Sequence, residues 1–165
     1  MEGVGKLVCG NKEEYEAGEF HEDLRHGQGQ LRSPTHTYEG TWAYDKMHGC
    51  GTLATRDGGV YIGRFMEGCT WNHGHITGHG TLVHGNGDRY TGGFEGGRRS
   101  GEGTMVSIET GYEFNGTFKN GVKNGPGRLR LPCGATVTGC WSSGKLVGQV
   151  DFKFPEKSIW DDPTY

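Results

Sequence analysis

The chain lacks most of what would mark it for a membrane, a nucleic acid or catalysis. No apolar run approaches the roughly 20 residues that cross a bilayer as a helix. No apolar signal-peptide core follows Met1. Its 17 Lys and Arg residues form no dense run and are mixed with 20 Asp and Glu, giving a net charge of −3, which argues against a nucleic-acid partner. The five cysteines (Cys9, Cys50, Cys69, Cys133 and Cys140) are odd in number and include no Cys-x-x-Cys. Reduced thiols in the cytoplasm fit that pattern better than a disulfide framework. Nucleophile-elbow and zincin motifs are absent, so no enzyme activity and no cofactor are expected. Hydrophobic residues make up only 32% and mean hydropathy is −0.70, too little for an ordinary two-layer core.

What is abundant is glycine, with 33 residues, or about 20% against a usual share of about 7%. The glycines keep a period with the aromatic residues. Tyr38-x-Gly40-x-Trp42 precedes Gly49-x-Gly51, and Tyr61-x-Gly63-x-Phe65 precedes Gly78-x-Gly80. Tyr90-x-Gly92-x-Phe94 precedes Gly101-x-Gly103, and Phe114-x-Gly116-x-Phe118 precedes Gly125-x-Gly127. Degenerate copies stand at Tyr15 to Gly29 and at Val137 to Gly148. The second aromatic falls at 20, 42, 65, 94, 118 and 141, a period of 22 to 24 residues interrupted by one step of 29. Such a period is the mark of a repeat array.

These residues resemble the MORN repeat (membrane occupation and recognition nexus), in which YxGxF/W is followed by GxGxL. The resemblance implies an all-β array of tandem hairpins spanning 1–152, with a half repeat at the start, about six hairpin repeats, an insertion near 66–77 and a non-repeat tail or cap at 153–165. It also implies a function of holding other proteins together, as in the arrays of cytoskeletal and ciliary, radial-spoke-type proteins.

The residues themselves predict an elongated single-layer antiparallel meander. Aromatics four apart share a face of a strand with the glycine between them. Asp57-Gly58 and Asn86-Gly87 predict two-residue hairpin turns with both positions at positive φ. Counting Gly3-Val4-Gly5-Lys6-Leu7, about 13 strands result, which at the usual spacing make a ribbon on the order of 60 Å long. That isolated first strand reads as the cut end of a longer array, or else as an unpaired edge offered to a partner strand, another copy's included.

One face is expected to carry the aromatic ladder Tyr38, Trp42, Tyr61, Phe65, Tyr90, Phe94, Phe114, Phe118 and Trp141. As structure it fills the sheet's apolar layer. As function it forms a groove for a helix or extended segment of a partner. Trp71 in the insertion, and Trp160 and Tyr165 in the tail, are further possible contacts. Arg98, Arg99, Lys119, Lys123, Arg128 and Arg130 form a possible patch for anionic lipid, although the net negative charge makes membrane binding weak or absent. Cys69, His73, His75 and His79 contain enough donors for zinc, at a spacing that fits no known finger; an insertion loop is the plainer reading. The Gly-x-Gly copies are not phosphate loops, because no helical period follows them.

The expectation is a non-enzymatic scaffold of the cytoplasm or cytoskeleton, ciliary or axonemal by resemblance, with other proteins as partners. A phosphoinositide-binding module and the MORN portion of a larger regulatory protein are the alternatives.

Overall fold

Residues 2–10, 12–69 and 76–155 are described by the structure, a computed structural model. Thirteen strands follow one another: β1 (Gly3–Val8), β2 (Glu14–His21), β3 (Leu24–Arg32), β4 (His36–Ala43), β5 (Lys46–Thr55), β6 (Val60–Cys69), β7 (Gly78–Val83), β8 (Arg89–Glu95), β9 (Arg98–Val106), β10 (Glu113–Lys119), β11 (Val122–Arg130), β12 (Thr136–Ser142) and β13 (Lys145–Lys153). They form one antiparallel sheet in chain order, and no helix occurs among the described residues. The expected fold class and strand number are both observed.

The register explains the glycines. Gly29, Gly40, Gly51, Gly63, Gly80, Gly92, Gly103, Gly116, Gly127 and Gly139 pair in succession, so a row of glycine crosses ten strands, β3 to β12. The first aromatic of each repeat lies over this row. A Cβ built on Gly51 would stand 2.5 Å from the Tyr38 hydroxyl oxygen, and one on Gly127 would stand 2.6 Å from Phe114 Cζ. Glycine in mid-strand is normally a weakness. Here it is the space in which the ring lies.

The other glycine of each Gly-x-Gly has a different task. Gly49 has φ of 59°, a left-handed backbone that a side chain would strain. The pairing of β4 with β5 slips beside it, between Gly40 and Thr41. Gly27, Gly78, Gly101, Gly125 and Gly148 share the positive φ. A bulge bends the strand that carries it and adds twist, and repetition of that bend wraps the sheet around its own rings.

The turns differ from expectation. At Asp57-Gly58 and Asn86-Gly87 only the glycine is left-handed. Gly58 N–H donates to Thr55 O (3.1 Å) and Thr55 N–H to Gly59 O (2.8 Å), a three-residue loop closed by a left-handed glycine. The two-residue turns with both φ positive lie at the opposite edge, at Glu22-Asp23, Tyr44-Asp45, Gly96-Gly97, Asn120-Gly121 and Ser143-Gly144. Asp-Gly and Asn-Gly serve both loop types, so the dipeptide alone does not choose between them.

Candidate interaction surfaces

Eleven rings form one unbroken chain. In spatial order they are Phe20, Tyr15, Trp42, Tyr38, Phe65, Tyr61, Phe94, Tyr90, Phe118, Phe114 and Trp141. Neighbouring centroids are 4.9 to 5.4 Å apart and every contact is edge-to-face. Such pairs contribute about 0.5–1.5 kcal/mol beyond the area they bury. The first-position ring of one repeat touches the second-position ring of its own repeat and that of the next. The sequence spacing thus becomes contact between repeats.

All eleven are buried, from 0% exposure at Tyr38 and Tyr90 to 6% at Phe20. The open apolar groove expected along Tyr38, Trp42, Tyr61, Phe65, Tyr90, Phe94, Phe114, Phe118 and Trp141 is therefore not a free surface. The glycine row lets each ring lie against the backbone, and the bulges curl the sheet over it, so no second layer is needed. Binding a partner through these side chains would require the array to open.

The tyrosine hydroxyls are satisfied within the turn of chain around them. Tyr38 Oη donates to Thr41 O and Tyr90 Oη to Gly93 O, both at 2.9 Å. Burial pushes the Tyr15 hydroxyl up to about 12 and raises that of Tyr90.

Two residues before Gly27, Gly49, Gly78, Gly101 and Gly125 stands a residue that packs on the rings: Arg25, Met47, Ile76, Arg99 or Lys123; Leu146, at the same place before Gly148, is exposed. The Arg25 guanidinium lies 4.3 Å from the Trp42 ring centre and bonds Asp45 Oδ1 at 3.0 Å. Arg99 lies 5.4 Å from Phe118 and donates to Gly121 O at 2.7 Å, while Lys123 Nζ is 4.5 Å from Phe114. Burial, with the nearby Arg99 charge, lowers the Lys123 ammonium below the usual lysine range. Cation–ring contacts of this kind contribute about 0.5–2 kcal/mol.

The patch suggested for anionic lipid is consequently divided. Arg99 and Lys123 turn inward onto rings. Arg98 and Lys119 stand beside the two-residue turns, opposite Glu95 and Val122 in the ladder. Arg128 and Arg130 project from the outer face, where Arg130 lies 4.0 Å from Glu113. Six cations that are close in sequence do not make one surface.

Of the suggested zinc donors, His73 and His75 lie outside the described residues, and Cys69 is described by its backbone alone. His79 is exposed on β7. No cluster of potential metal ligands occurs among the described residues. Trp71, Trp160 and Tyr165 also lie outside them. The expected insertion leaves the ring chain intact: Tyr61 still meets Phe94 at 5.3 Å, and β6 still pairs with β7 from Val60↔Val83 to Gly63↔Gly80.

The surface left free is the outer face and the two sheet edges. Exposed apolar residues gather at the edges, with Val4 and Val8 on β1 and Val147, Val150 and Phe152 on β13. Sequence spacing identified the rings but not the capping column. The signal was present, because Met47, Ile76 and Leu146 occupy the positions equivalent to Arg25, Arg99 and Lys123.

The MORN repeat family profile matches residues 17–37, 38–60, 70–89, 90–108 and 114–134. Among curated proteins, alsin of Rattus norvegicus is 34% identical over 94 residues, which is 57% of this chain but 6% of alsin. The chain thus spans a small fraction of that relative. Among solved structures, the SAS-4 (dCPAP) TCP domain of Drosophila melanogaster, in complex with a proline-rich motif of Ana2 (dSTIL), aligns over 92% of this chain and 90% of that chain. Its identity is 10% and its TM-score 0.24, too low to carry any argument. The family profile covers more than half of the 165 residues, and its units repeat with the hairpins described above, so this chain belongs to the MORN repeat family.

Proposed function

We propose that the protein is a non-enzymatic interaction scaffold, a stiff ribbon that joins or spaces other proteins in a cytoskeletal assembly. MORN repeats are units of protein or membrane interaction, and this chain is a repeat protein built from them. The observation that carries the scaffold reading is the unbroken ring chain from Phe20 to Trp141. It commits the aromatic residues to stiffness and leaves recognition to the outer face and edges. The division of the six cations among three places weighs against a membrane surface as the principal partner. A ciliary or axonemal setting follows from the family's cytoskeletal members by analogy.

The test is affinity capture from ciliated cells followed by mass spectrometry, with outer-face variants beside the wild type. Axonemal or other cytoskeletal proteins recovered by the wild type and lost with an outer-face variant would support the scaffold. Recovery of nothing, together with salt-sensitive sedimentation on phosphoinositide vesicles, would replace it with the membrane reading.

A further inference from the structure

Strand β13 pairs with β12 on one side, and no described strand pairs with its other side. The direction of its backbone groups follows from the turn before β12. There Leu131 N–H donates to Ala135 O at 2.8 Å. Residues opposite each other in an antiparallel pair alternate between exchanging hydrogen bonds and not exchanging them. Two positions on, Leu129 and Val137 therefore exchange theirs across β11 and β12, and Thr136 and Thr138 turn theirs toward β13. Their partners Lys153 and Asp151 answer them. Phe152 between these two, with Val150 before and Phe154 after, is left with its N–H and C=O pointing at the open edge.

The side chains on this edge form a self-complementary pattern. Val150, Phe152 and Phe154 share one face by the strand's period of two and are 40%, 46% and 61% exposed. The rings of Phe152 and Phe154 lie 4.9 Å apart. Asp151 and Lys153 share the other face, with side chains 63% and 71% exposed. Moving away from Phe152 in either direction meets one charge, of opposite sign on the two sides, and then one large apolar residue. Gly148, at φ of 75°, and the slip in register between Thr138 and Cys140 end the regular ladder before Val150, so Phe152 is its centre. Pro155 takes nothing from the edge. By the same alternation its nitrogen faces away from it, and its side chain lies beside Gly134.

We infer that β13 adds to β13 of a second copy, antiparallel about a two-fold axis through Phe152, so that two arrays become one continuous sheet. Phe152 exchanges both of its hydrogen bonds with its copy, and Val150 does the same with Phe154. The two Phe152 rings meet on one face, flanked by Val150 against Phe154. On the other face Asp151 stands opposite Lys153, and the symmetry makes that pair occur twice. These charged pairs fall at the positions of the ladder that exchange no hydrogen bonds, where side chains come closest.

Other registers fail. An axis one residue to either side sets Asp151 against Asp151 or Lys153 against Lys153. A register shifted by a single residue opposes the apolar row to the charged one. Strand β1 of another copy is a poorer mate for β13, because its one charged residue, Lys6, is already held by Glu14 and Glu16 of β2. Nor does β1 hold an acid to meet Lys153. The inference goes beyond the scaffold reading and stands without it, because it concerns the purified chain alone.

Sedimentation equilibrium over a range of protein and salt concentrations tests it. The wild type is expected to form a reversible dimer and nothing larger, and the dimer should weaken with salt, which screens exposed pairs. Phe152→Lys, Asp151→Lys and Lys153→Asp should each raise the dimer dissociation constant about tenfold. Asp151→Lys and Lys153→Asp combined in one chain should restore most of the loss, because each new Lys then meets a new Asp. All four variants are expected to keep the wild-type circular dichroism spectrum, since the altered side chains are exposed. A wild type that is monomeric at every concentration would overturn the inference, as would a double variant no tighter than its parents. So would association into open chains, or a dimer indifferent to Phe152→Lys but lost with Val4→Lys, either of which would put the contact on the β1 edge.

Discussion

The centre of the array and its last hairpin are built on the same pattern but packed differently. At Tyr90 the ring lies over Gly92 and Gly103, between Phe94 and Phe118, with Tyr90 itself at 0% exposure. In the hairpin of β12 and β13 the equivalent position is Val137, and every residue of β13 is exposed, Phe152 at 46%. Trp141 has the Phe114 ring on one side and no aromatic partner of its own repeat on the other. A repeat is therefore finished by its neighbours, and the one with fewest ring contacts has the least buried second strand. Stability in such an array is a sum of nearest-neighbour terms.

The largest break in this comparison should come from Tyr90→Ala. Loss of a buried aromatic costs about 3–5 kcal/mol, and because Tyr90 joins two repeats, urea unfolding should separate into two transitions. Phe152→Ala should cost less than about 1 kcal/mol and leave a single transition. Equal losses at both sites would mean that the ring chain does not couple the repeats.

Glycine substitutions come next. A Cβ on Gly92 would stand 2.6 Å from Gly103 Cα and 2.7 Å from Glu102 O, both backbone atoms that cannot step aside. Gly92→Ala should cost about 1–3 kcal/mol by overpacking. At Gly139 the nearest atom is Leu146 Cδ1 at 3.0 Å, the end of a flexible and exposed side chain. Gly139→Ala should therefore change the urea midpoint by much less.

These two glycines also separate what the sequence disclosed from what it did not. The period of aromatic and glycine revealed the strands, their number and their order, because period-two alternation and turn spacing leave little choice. It did not reveal that the sheet would cover its own rings. Coverage depends on the positive φ of Gly49 and its equivalents, and a Gly-x-Gly string does not say which glycine bends the strand and which makes room. Nor did it reveal that Arg99 and Lys123 point inward. A cation reads as surface until its column is seen to contain Met47 and Ile76.

A smaller effect is expected from Tyr90→Phe. It removes the hydrogen bond to Gly93 O and should cost about 1 kcal/mol in urea unfolding. Phe114 already lacks this bond at the equivalent place, so the variant asks how much of the difference between the repeats is hydroxyl and how much is ring.

The smallest effect lies in pH. His36 is buried, and burial lowers its imidazole below the usual value. The folded state resists the proton that the unfolded chain accepts, so this contribution is intact above about 6.5 and is lost as pH falls through the lower folded value. His36→Gln should flatten the dependence of melting temperature on pH below 6.5. An unchanged slope would assign the dependence to other groups.

The chain-order meander also has a mechanical meaning. Its hydrogen bonds run along the ribbon, and its two ends lie on opposite terminal strands, β1 and β13. A pull between those ends loads one ladder at a time, as a zipper is opened, and does not shear many bonds together. Each hairpin released would add up to about 3.3–3.6 Å of length per residue. The ribbon, stiff against bending through its ring chain, would yield to tension in small steps beginning at its weakest terminal hairpin.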